Sequence, residues 1–347
     1  MKEITIAGMD VGNGGIKTKT AHNSSYFPHA LFQMTGSQVE EFAGGDRDNP
    51  NVYIVNGVHY SIGTQAIRNG AGAVKYGESR YVRDYYGVLA AIGLFRSLPK
   101  DSQRYSVVMA ATHTPKDGIY KADLVNAATG VWEVQWKEET LKIRIADVKC
   151  IPEPVAHYRH ATLYDGGVSV RGPERIRRGI CCVIDLGTFT TGFATAEDGL
   201  VDYTAGDTRL TGVQDAIDEL SAQIRSKFRR QLKGAQQLDP IRLRDAIMDG
   251  EYDARGLGIF ECAKEAEEAC NIVIRDVLTY FDAYGGSSAF DSVLIAGGGG
   301  SLMAKRLTDQ LNHRNVFLTD KPGEMMVMGA GIGAYKMLQA LEAKGKL

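Results

Sequence analysis

Two stretches of this 347-residue chain combine an aspartate, a glycine-containing turn and hydrogen-bonding side chains. The first, GMDVGNGGIKTKT, runs from Gly8 to Thr20, and the second, VIDLGTFTTGFAT, runs from Val183 to Thr195. In each stretch the aspartate, Asp10 or Asp185, ends a pattern typical of a β-strand. Glycines in such a turn let several backbone N–H groups face one hollow, which binds anions. The repeated pattern therefore predicts two anion-binding hairpins.

The side chains near these turns suit a polyphosphate held with magnesium. Lys17 could reach a phosphate at the first turn, and Thr188 and Thr190 offer hydroxyl donors at the second. Asp10 and Asp185 are poor direct partners for a phosphate, because like charges repel, but they suit hydrated Mg²⁺ between carboxylate and phosphate. Taken alone, GNGG would fit an ordinary type I′ hairpin turn, and the threonines would fit strand propensity. The repetition favours the phosphate interpretation.

Two further glycine runs lie near the end of the chain. In FDSVLIAGGGGSLM, Gly297–Gly300 separate a strand pattern from an amphipathic helix, which is unlike a flexible linker. A strand end, glycines and a helix N-terminus would let a nucleoside lie against the backbone. The second run, MGAGIGAYKM, predicts a small-residue helix at which two halves cross and hinge.

The elements that must position these motifs form two α/β halves. Strand and helix patterns alternate in the first half, where Ser79–Leu98 has helical spacing. A polar connector precedes the second aspartate motif. Helical patterns then cover Thr211–Lys233, Pro240–Asp249 and Gly258–Phe281. Each half thus opens with the same hairpin, which indicates an internal repeat.

Composition excludes several classes of protein. The chain has 44% hydrophobic and 24% charged residues and a net charge of -2, which disfavours a nucleic-acid coat or a polybasic membrane binder. We expect no signal peptide and no membrane span, because no run of about 18 apolar residues occurs. Five cysteines without a C-x-x-C pair indicate neither zinc nor disulfides, and predict reduced thiols in a cytoplasmic protein.

Five motifs in this order resemble those of the actin–DnaK–hexokinase superfamily of ATPases. Asp10, Gly12, Gly14 and Lys17 match the phosphate-1 signature D-x-G-x-G-x-x-K, and VIDLGTFTTGFA resembles phosphate-2. CIPEPVAHY and MGAGIGAY resemble the two interdomain connectors of the superfamily, and IAGGGGSLM resembles its adenosine motif. Within the superfamily, DVGNGGIK and YSIGTQA (Tyr60–Ala66) look most like the ParM/StbA plasmid-segregation actin homologues.

The resemblance implies an α/β, actin-like fold with two ribonuclease-H-like domains around a nucleotide cleft. Domain I would comprise residues 1–157 and 328–347, with a small insertion near 35–78, and domain II residues 158–327. The resemblance also implies ATP and Mg²⁺ as cofactors, with Asp10 and Asp185 holding the metal through water. Glu153, in PEP, would orient or deprotonate the attacking water. The implied nucleotide-binding residues are Asp10, Gly12, Asn13, Gly14, Gly15, Lys17, Asp185, Gly187, Thr188, Phe189, Thr190, Gly297, Gly298, Gly299 and Gly300.

One position departs from the family pattern. Relatives usually carry an acidic residue after the T-T pair of phosphate-2, and this chain has Gly192 there. His157 and His160 could share a metal on a helix face, but no third ligand is apparent. Lys264 is a candidate ribose or adenine contact, although a solvated helix face is the simpler interpretation.

The function implied by the resemblance is that of a ParM-like ATPase that forms head-to-tail filaments with ATP and disassembles after hydrolysis. The implied partners are further copies of the chain and a ParR-type DNA-binding adaptor on a centromere-like site. Direct specific DNA binding and membrane binding are not expected. Two alternatives stay open: a kinase for a sugar or carboxylate on the same scaffold, and a nucleotide switch that does not polymerise.

Overall fold

Two β-sheets organise the protein. The computed structural model describes residues 4–39, 51–71, 80–164, 172–232, 238–319 and 329–347. Within these ranges the first sheet contains nine strands: β1 (Ile4–Gly12), β2 (Gly15–Thr20), β3 (Ser24–Phe27), β4 (Leu31–Gln33), β5 (Val52–Val55), β6 (Val58–Ile62), β7 (Arg104–His113), β8 (Gly130–Trp136) and β9 (Glu139–Pro152). In the same described residues the second contains five: β10 (Ile180–Leu186), β11 (Thr191–Glu197), β12 (Leu200–Arg209), β15 (Ser292–Ala296) and β16 (Val316–Leu318).

The helices lie between these strands and at the end of the chain. They are α1 (Gly63–Arg68), α2 (Val88–Ser97), α3 (Lys121–Ala128), α4 (Glu153–Thr162), α5 (Glu174–Arg177), α6 (Val213–Lys227), α7 (Pro240–Asp249), α8 (Ala263–Ala283), α9 (Gly298–Leu311) and α10 (Gly329–Glu342). A π-helical turn, Arg83–Gly87, leads into α2, and a 3₁₀ turn, Lys116–Tyr120, leads into α3.

The two sheets share one topology. In the first, the order β3-β2-β1-β7-β9 combines two antiparallel pairs with two parallel pairs. The second sheet repeats this as β12-β11-β10-β15-β16, again with two antiparallel and two parallel pairs. The repeat inferred from the two aspartate motifs is therefore a repeat of five strands.

The helix predicted over Pro240–Asp249 has these bounds, and the one predicted over Thr211–Lys233 is shorter and spans Val213–Lys227. A third begins later than predicted. The helix expected over Gly258–Phe281 begins at Ala263, because Ile259–Glu261 form strand β14, which pairs with β13 (Glu251–Asp253). Phe260 on this hairpin is buried and stacks on Phe228 with ring centroids 4.6 Å apart. Burial of this aromatic side chain favours the strand over an earlier helix start.

Three hydrophobic clusters hold the molecule together. One packs α2 and α3 on the first sheet, and a second packs α6 to α9 on the second sheet. The third joins residues of both sheets with α4 and α10, and most of its members are small or β-branched. The halves are thus connected by a continuous apolar layer as well as by the chain. In the described residues no helix is long and apolar enough to cross a membrane.

The helices α4 and α10 cross in direct backbone contact. A Cβ atom on Gly333 would lie 1.7 Å from the carbonyl oxygen of Ala156, and one on Gly8 would lie 2.1 Å from the carbonyl oxygen of Gly331. The small residues of the last helix therefore allow it to lie against both β1 and α4. This agrees with the close packing predicted for MGAGIGAYKM, of which Met328 lies outside the described residues.

Candidate nucleotide site

The first hairpin places a lysine and an aspartate directly opposite each other. Asp10 on β1 pairs in register with Lys17 on β2, and Lys17 Nζ lies 2.5 Å from Asp10 Oδ2. Thr112, at the end of the neighbouring strand β7, donates its hydroxyl to Asp10 Oδ1 at 2.8 Å. Burial opposes ionisation of Asp10, but Lys17 and these hydrogen bonds outweigh it and hold the pKa of Asp10 below its ordinary value. The carboxylate is therefore kept charged in the site.

The turn of this hairpin is not the ordinary type I′ turn that its Asn-Gly sequence favours. Asn56–Gly57 adopts that turn, with φ of 49° and 83°. Asp198–Gly199 does the same, with φ of 48° and 83°. Asn13 and Gly14 form a two-residue turn between Gly12 and Gly15, yet neither lies in the left-handed region. Surrounding contacts must therefore hold this turn away from its intrinsic preference.

The second hairpin carries the second aspartate on β10. Asp185 pairs with Gly192 on β11, and its side chain is buried. His157, on α4, brings its Nε2 to 3.3 Å from Asp185 Oδ1. Gly297, just before α9, also packs against this carboxylate, since a Cβ there would lie 2.3 Å from Asp185 Oδ1. The aspartate is thus enclosed by a connector helix and by the third glycine run.

The tips of the two hairpins meet across one cleft. A Cβ on Gly14 would lie 2.5 Å from Thr188 Oγ1, so the first turn approaches the second directly. The cleft encloses about 790 Å³ of empty space, including the part open to solvent. Its lining residues are Asp10, Gly12, Asn13, Gly14, Lys17, Tyr26, Glu153, His157, Asp185, Gly187, Thr188, Thr190, Val213, Ile217, Arg244, Gly297, Gly298, Gly299 and Leu302. Asp10 and Asp185 therefore face a common space.

Glu153 enters the cleft from the point where β9 ends and α4 begins. Pro152 precedes the helix in extended conformation, and Pro154 occupies its first turn, where proline lacks only a donor that the helix does not use. Burial, and then the nearby Asp10 and Asp185 carboxylates, raise the pKa of Glu153 well above its ordinary value. A buried carboxyl with a raised pKa is a candidate general base.

The part of the cleft lined by α6 and the start of α9 is more apolar. Strand β15 leads through Gly297, with φ of 84°, into the N-terminus of α9. A Cβ on Gly298 would meet no atom within 4 Å, so it would project into open space. Val213, Ile217 and Leu302 add apolar side chains from α6 and α9, and Arg244 adds a guanidinium from α7. Apolar side chains with a few polar groups are typical of a pocket that binds a nucleoside.

The structure brings most of the predicted site residues together. Thirteen line the cleft: Asp10, Gly12, Asn13, Gly14, Lys17, Glu153, Asp185, Gly187, Thr188, Thr190, Gly297, Gly298 and Gly299. Three predicted positions, Gly15, Phe189 and Gly300, do not line it. A Cβ on Gly15 would lie 2.3 Å from the Tyr26 ring, so this glycine faces strand β3. Gly300 lies inside α9, one position beyond the glycines that face the cleft.

Several residues that line the cleft or contact its aspartates carry no recognisable motif in the sequence. Thr112 lies 102 positions from its partner Asp10 and carries no motif of its own. Tyr26, Val213, Ile217, Arg244 and Leu302 likewise read as ordinary strand or helix residues. The sequence suggests His157 only as a metal ligand together with His160. In the structure His157 instead contacts Asp185, and His160 does not line the cleft. Lys264 is exposed beside Glu268, as expected of a solvated helix face.

The structure explains why position 192 is occupied by glycine. A Cβ at this position would lie 2.9 Å from Cγ of Pro154. The glycine therefore lets the turn that carries Glu153 pack against the second hairpin. An acidic side chain, which the resemblance leads one to expect at position 192, would have to displace this proline.

The donor set suits a cation that keeps its own water. Among the described residues no group of three or more His, Cys, Asp or Glu side chains could hold a metal ion. Asp10 and Asp185 share the cleft, but each already has a protein partner. Mg²⁺ retains several waters and is bound through one or two carboxylates and substrate phosphates, so these residues fit it.

Comparison with known proteins agrees with this architecture. Residues 8–155 match the family model of the actin-like proteins N-terminal domain. No curated protein matches the sequence significantly. Together with the paired sheets and the cleft between their hairpins, these findings give the chain the actin-like fold.

Solved structures with this fold are similar over nearly the whole chain. A 15-stranded ParM filament from Clostridium botulinum has a TM-score of 0.73 and 16% identity, covering 97% of this chain and 99% of that one. ParM of Bacillus thuringiensis with ATP has a TM-score of 0.69 and 16% identity, covering 99% and 100%. An archaeal actin homologue in complex with ADP has a TM-score of 0.70 and 16% identity, covering 96% and 99%. The predicted resemblance to ParM-type proteins is confirmed for the fold.

Proposed function

We propose that this chain is an actin-like ATPase that binds ATP with Mg²⁺ in the cleft between its two hairpins. One observation carries the proposal. Side chains from three distant parts of the sequence line a single cleft: Asp10 with Lys17, then Glu153, and then Asp185. Structures of similar fold contain ATP or ADP, which supports a nucleotide as the occupant.

The cleft has features that suit a polyphosphate. Gly298 leaves room for a ligand against the backbone. Lys17 has three donor hydrogens, so it can keep its bond to Asp10 and still reach a phosphate. The N-terminus of α9 adds the positive end of a helix dipole. Bound Mg²⁺ would neutralise phosphate charge that three nearby carboxyl groups would otherwise repel.

Hydrolysis needs an oriented water and stabilised phosphate oxygens. We assign the first task to Glu153, whose raised pKa makes it a better proton acceptor than an exposed carboxylate. Lys17 and the amides of the two turns would stabilise the departing phosphate. Asp10 and Asp185 would hold the hydrated metal. Phosphoryl transfer depends chiefly on such positioning and charge, which this cleft supplies.

The ATPase would drive assembly of the chain into filaments that segregate DNA. ParM structures of the same fold include a filament, which supports self-association. A repeated contact between unlike surfaces that does not close into a ring produces a filament. The net charge of -2 favours contact with DNA through a ParR-type adaptor on a centromere-like site.

Light scattering on addition of ATP and Mg²⁺ tests the assembly. We expect scattering only above a sharp critical protein concentration, followed by decay as ATP is consumed. Asp185→Ala should abolish both the rise and nucleotide binding, because it removes one of the two carboxylates. Nucleotide hydrolysis without any rise in scattering at high protein concentration would instead indicate a nucleotide switch that does not polymerise. Phosphate transfer to a sugar or carboxylate would establish a kinase instead.

A further inference from the structure

A second layer of side chains supports the first hairpin turn from strand β3 and the residues after it. Tyr26 on β3 pairs in register with Lys17, and its ring covers Gly15. Its hydroxyl donates to the carbonyl oxygen of Gly14 at 3.3 Å. His29, two residues beyond β3, is 4% exposed and does not line the cleft. The turn is therefore held at more than one point, by Tyr26 at the edge of the cleft and by His29 outside it.

The hydrogen bonds of His29 define its protonation state. Its Nδ1 lies 2.9 Å from the carbonyl oxygen of Gly12, and its Nε2 lies 2.8 Å from the hydroxyl of Tyr85. A carbonyl oxygen can only accept, so Nδ1 carries the hydrogen, and in the neutral ring Nε2 then accepts from the tyrosine hydroxyl. Burial, followed by the Arg80 charge, lowers the pKa of His29 to about 3, which agrees with a neutral ring.

The bond to Gly12 orients a backbone N–H group. In a trans peptide the C=O and the following N–H point in opposite directions. The Gly12 carbonyl is directed at His29, which lies outside the cleft, so the N–H of Asn13 is directed away from His29. Asn13 itself lines the cleft. This peptide is therefore arranged to present a donor to an anion there.

An unsupported Asn-Gly turn would not keep this arrangement. Two-residue Asn-Gly hairpins prefer the type I′ turn, which Asn56–Gly57 adopts in this same chain. Asn13–Gly14 does not adopt it. The His29 and Tyr26 hydrogen bonds to the carbonyl groups of Gly12 and Gly14 are the contacts that oppose relaxation toward it.

We propose that His29 is a positioning residue that, anchored by Tyr85, holds the Gly12–Asn13 peptide with its N–H toward the phosphates of the bound nucleotide. The proposal rests on the proposed function of the cleft. Tyr85 lies in the π-helical turn before α2, so the phosphate turn is joined to the helix layer behind the sheet. Such π-turns are frequent at functional sites.

Three variants test the positioning role by titration with ATP and Mg²⁺. His29→Leu keeps the bulk but removes both hydrogen bonds, and we expect affinity to fall about tenfold, as for loss of about one hydrogen bond. His29→Gln supplies an amide donor and a carbonyl acceptor, and should restore affinity to within about threefold. Tyr85→Phe removes the hydroxyl that contacts His29 Nε2 and should weaken binding by about threefold. His22→Leu, at an exposed histidine, is the matched control.

The kinetic and thermal measurements separate positioning from mere folding support. In steady-state hydrolysis His29→Leu should raise KM and also lower kcat, because the N–H contacts the phosphates of the bound substrate and also stabilises the departing phosphate. Equal affinity in wild type and His29→Leu, with only a lower unfolding temperature of the nucleotide-free protein, would overturn the positioning role. If the wild type itself bound no nucleotide, the proposed function would fail as well. If His29→Leu did not fold, Tyr85→Phe with unchanged affinity would still refute the inference.

Discussion

At the scale of single residues, the cleft balances charge among a few buried groups. Burial opposes the charge on Lys17, but Asp10, and then Glu153 and Asp185, raise its pKa above the ordinary value. Burial, and then Asp10 and Asp185, raise the pKa of Glu153. Lys17 thus stabilises the charge of Asp10 directly, whereas Glu153 holds a proton more readily than Asp10 does.

Replacing Glu153 by glutamine should separate binding from chemistry. Glu153→Gln keeps the size and polarity of the side chain but cannot accept a proton, so we expect hydrolysis to slow by about 100-fold or more. Nucleotide affinity should stay the same or increase, because the substitution removes a buried carboxyl group, close to two aspartates, that would repel the phosphates. Single-turnover phosphate release and ATP titration measure the two effects. Glu174→Gln, at an exposed helix position, should change neither, and normal hydrolysis by Glu153→Gln would exclude its assigned role.

The buried neutral ring of His29 should make the protein sensitive to acid. The folded state keeps His29 unprotonated down to about pH 3, whereas in the unfolded chain it protonates near its usual value of about 6.5. Between these values the unfolded state binds the extra proton, so stability falls as pH falls, by at most about 1.4 kcal/mol per pH unit. Above pH 6.5 this contribution is fully present.

Urea unfolding of wild type and His29→Gln between pH 6.5 and 4.5 measures this effect. The free energy of unfolding of the variant should fall less steeply with acidification, because glutamine does not titrate. Parallel pH dependence in the two proteins would show that His29 is not protected from protons in the folded state.

At the scale of elements, the crossing of α4 and α10 connects the two halves. Lys336 on α10 is buried and donates to the carbonyl oxygen of Leu163, just beyond the end of α4. Gly329 approaches His157, the residue that pairs with Asp185, since a Cβ there would lie 2.8 Å from the ring nitrogen Nδ1. The connector helices therefore contact the site itself.

Gly333→Ala should disrupt this crossing. Its Cβ would lie 1.7 Å from the Ala156 carbonyl oxygen, so the helices must separate, and we expect a loss of about 1–3 kcal/mol in the free energy of unfolding. Gly331→Ala gains the same helix propensity, and its Cβ would lie 3.3 Å from its nearest neighbour, so it is the matched control. Urea unfolding compares the two variants. Equal stabilities would show that the crossing is not tightly packed.

At the scale of the whole molecule, the repeated hairpin made the actin-like fold predictable, because a motif that recurs with its strands specifies a repeated sheet. The glycine runs predicted the cleft because glycine is needed where backbones approach closely, as at Gly14 and Gly297. Contacts such as Thr112 with Asp10 depend on which strands become neighbours, and no local pattern encodes that. The domain boundaries at 157 and 328 remain a prediction.

The proposed ATPase site requires both aspartates to act on one metal-bound nucleotide. A double-mutant cycle tests this most directly: calorimetric titration of ATP with Mg²⁺ into wild type, Asp10→Asn, Asp185→Asn and the double variant, with Asp309→Asn as a surface control. We predict one nucleotide per chain and weaker binding in each single variant. The double variant should lose less binding free energy than the two single variants lose together, with a coupling energy of about 0.5–3 kcal/mol. Strictly additive losses, or unchanged binding in either single variant, would contradict the shared site.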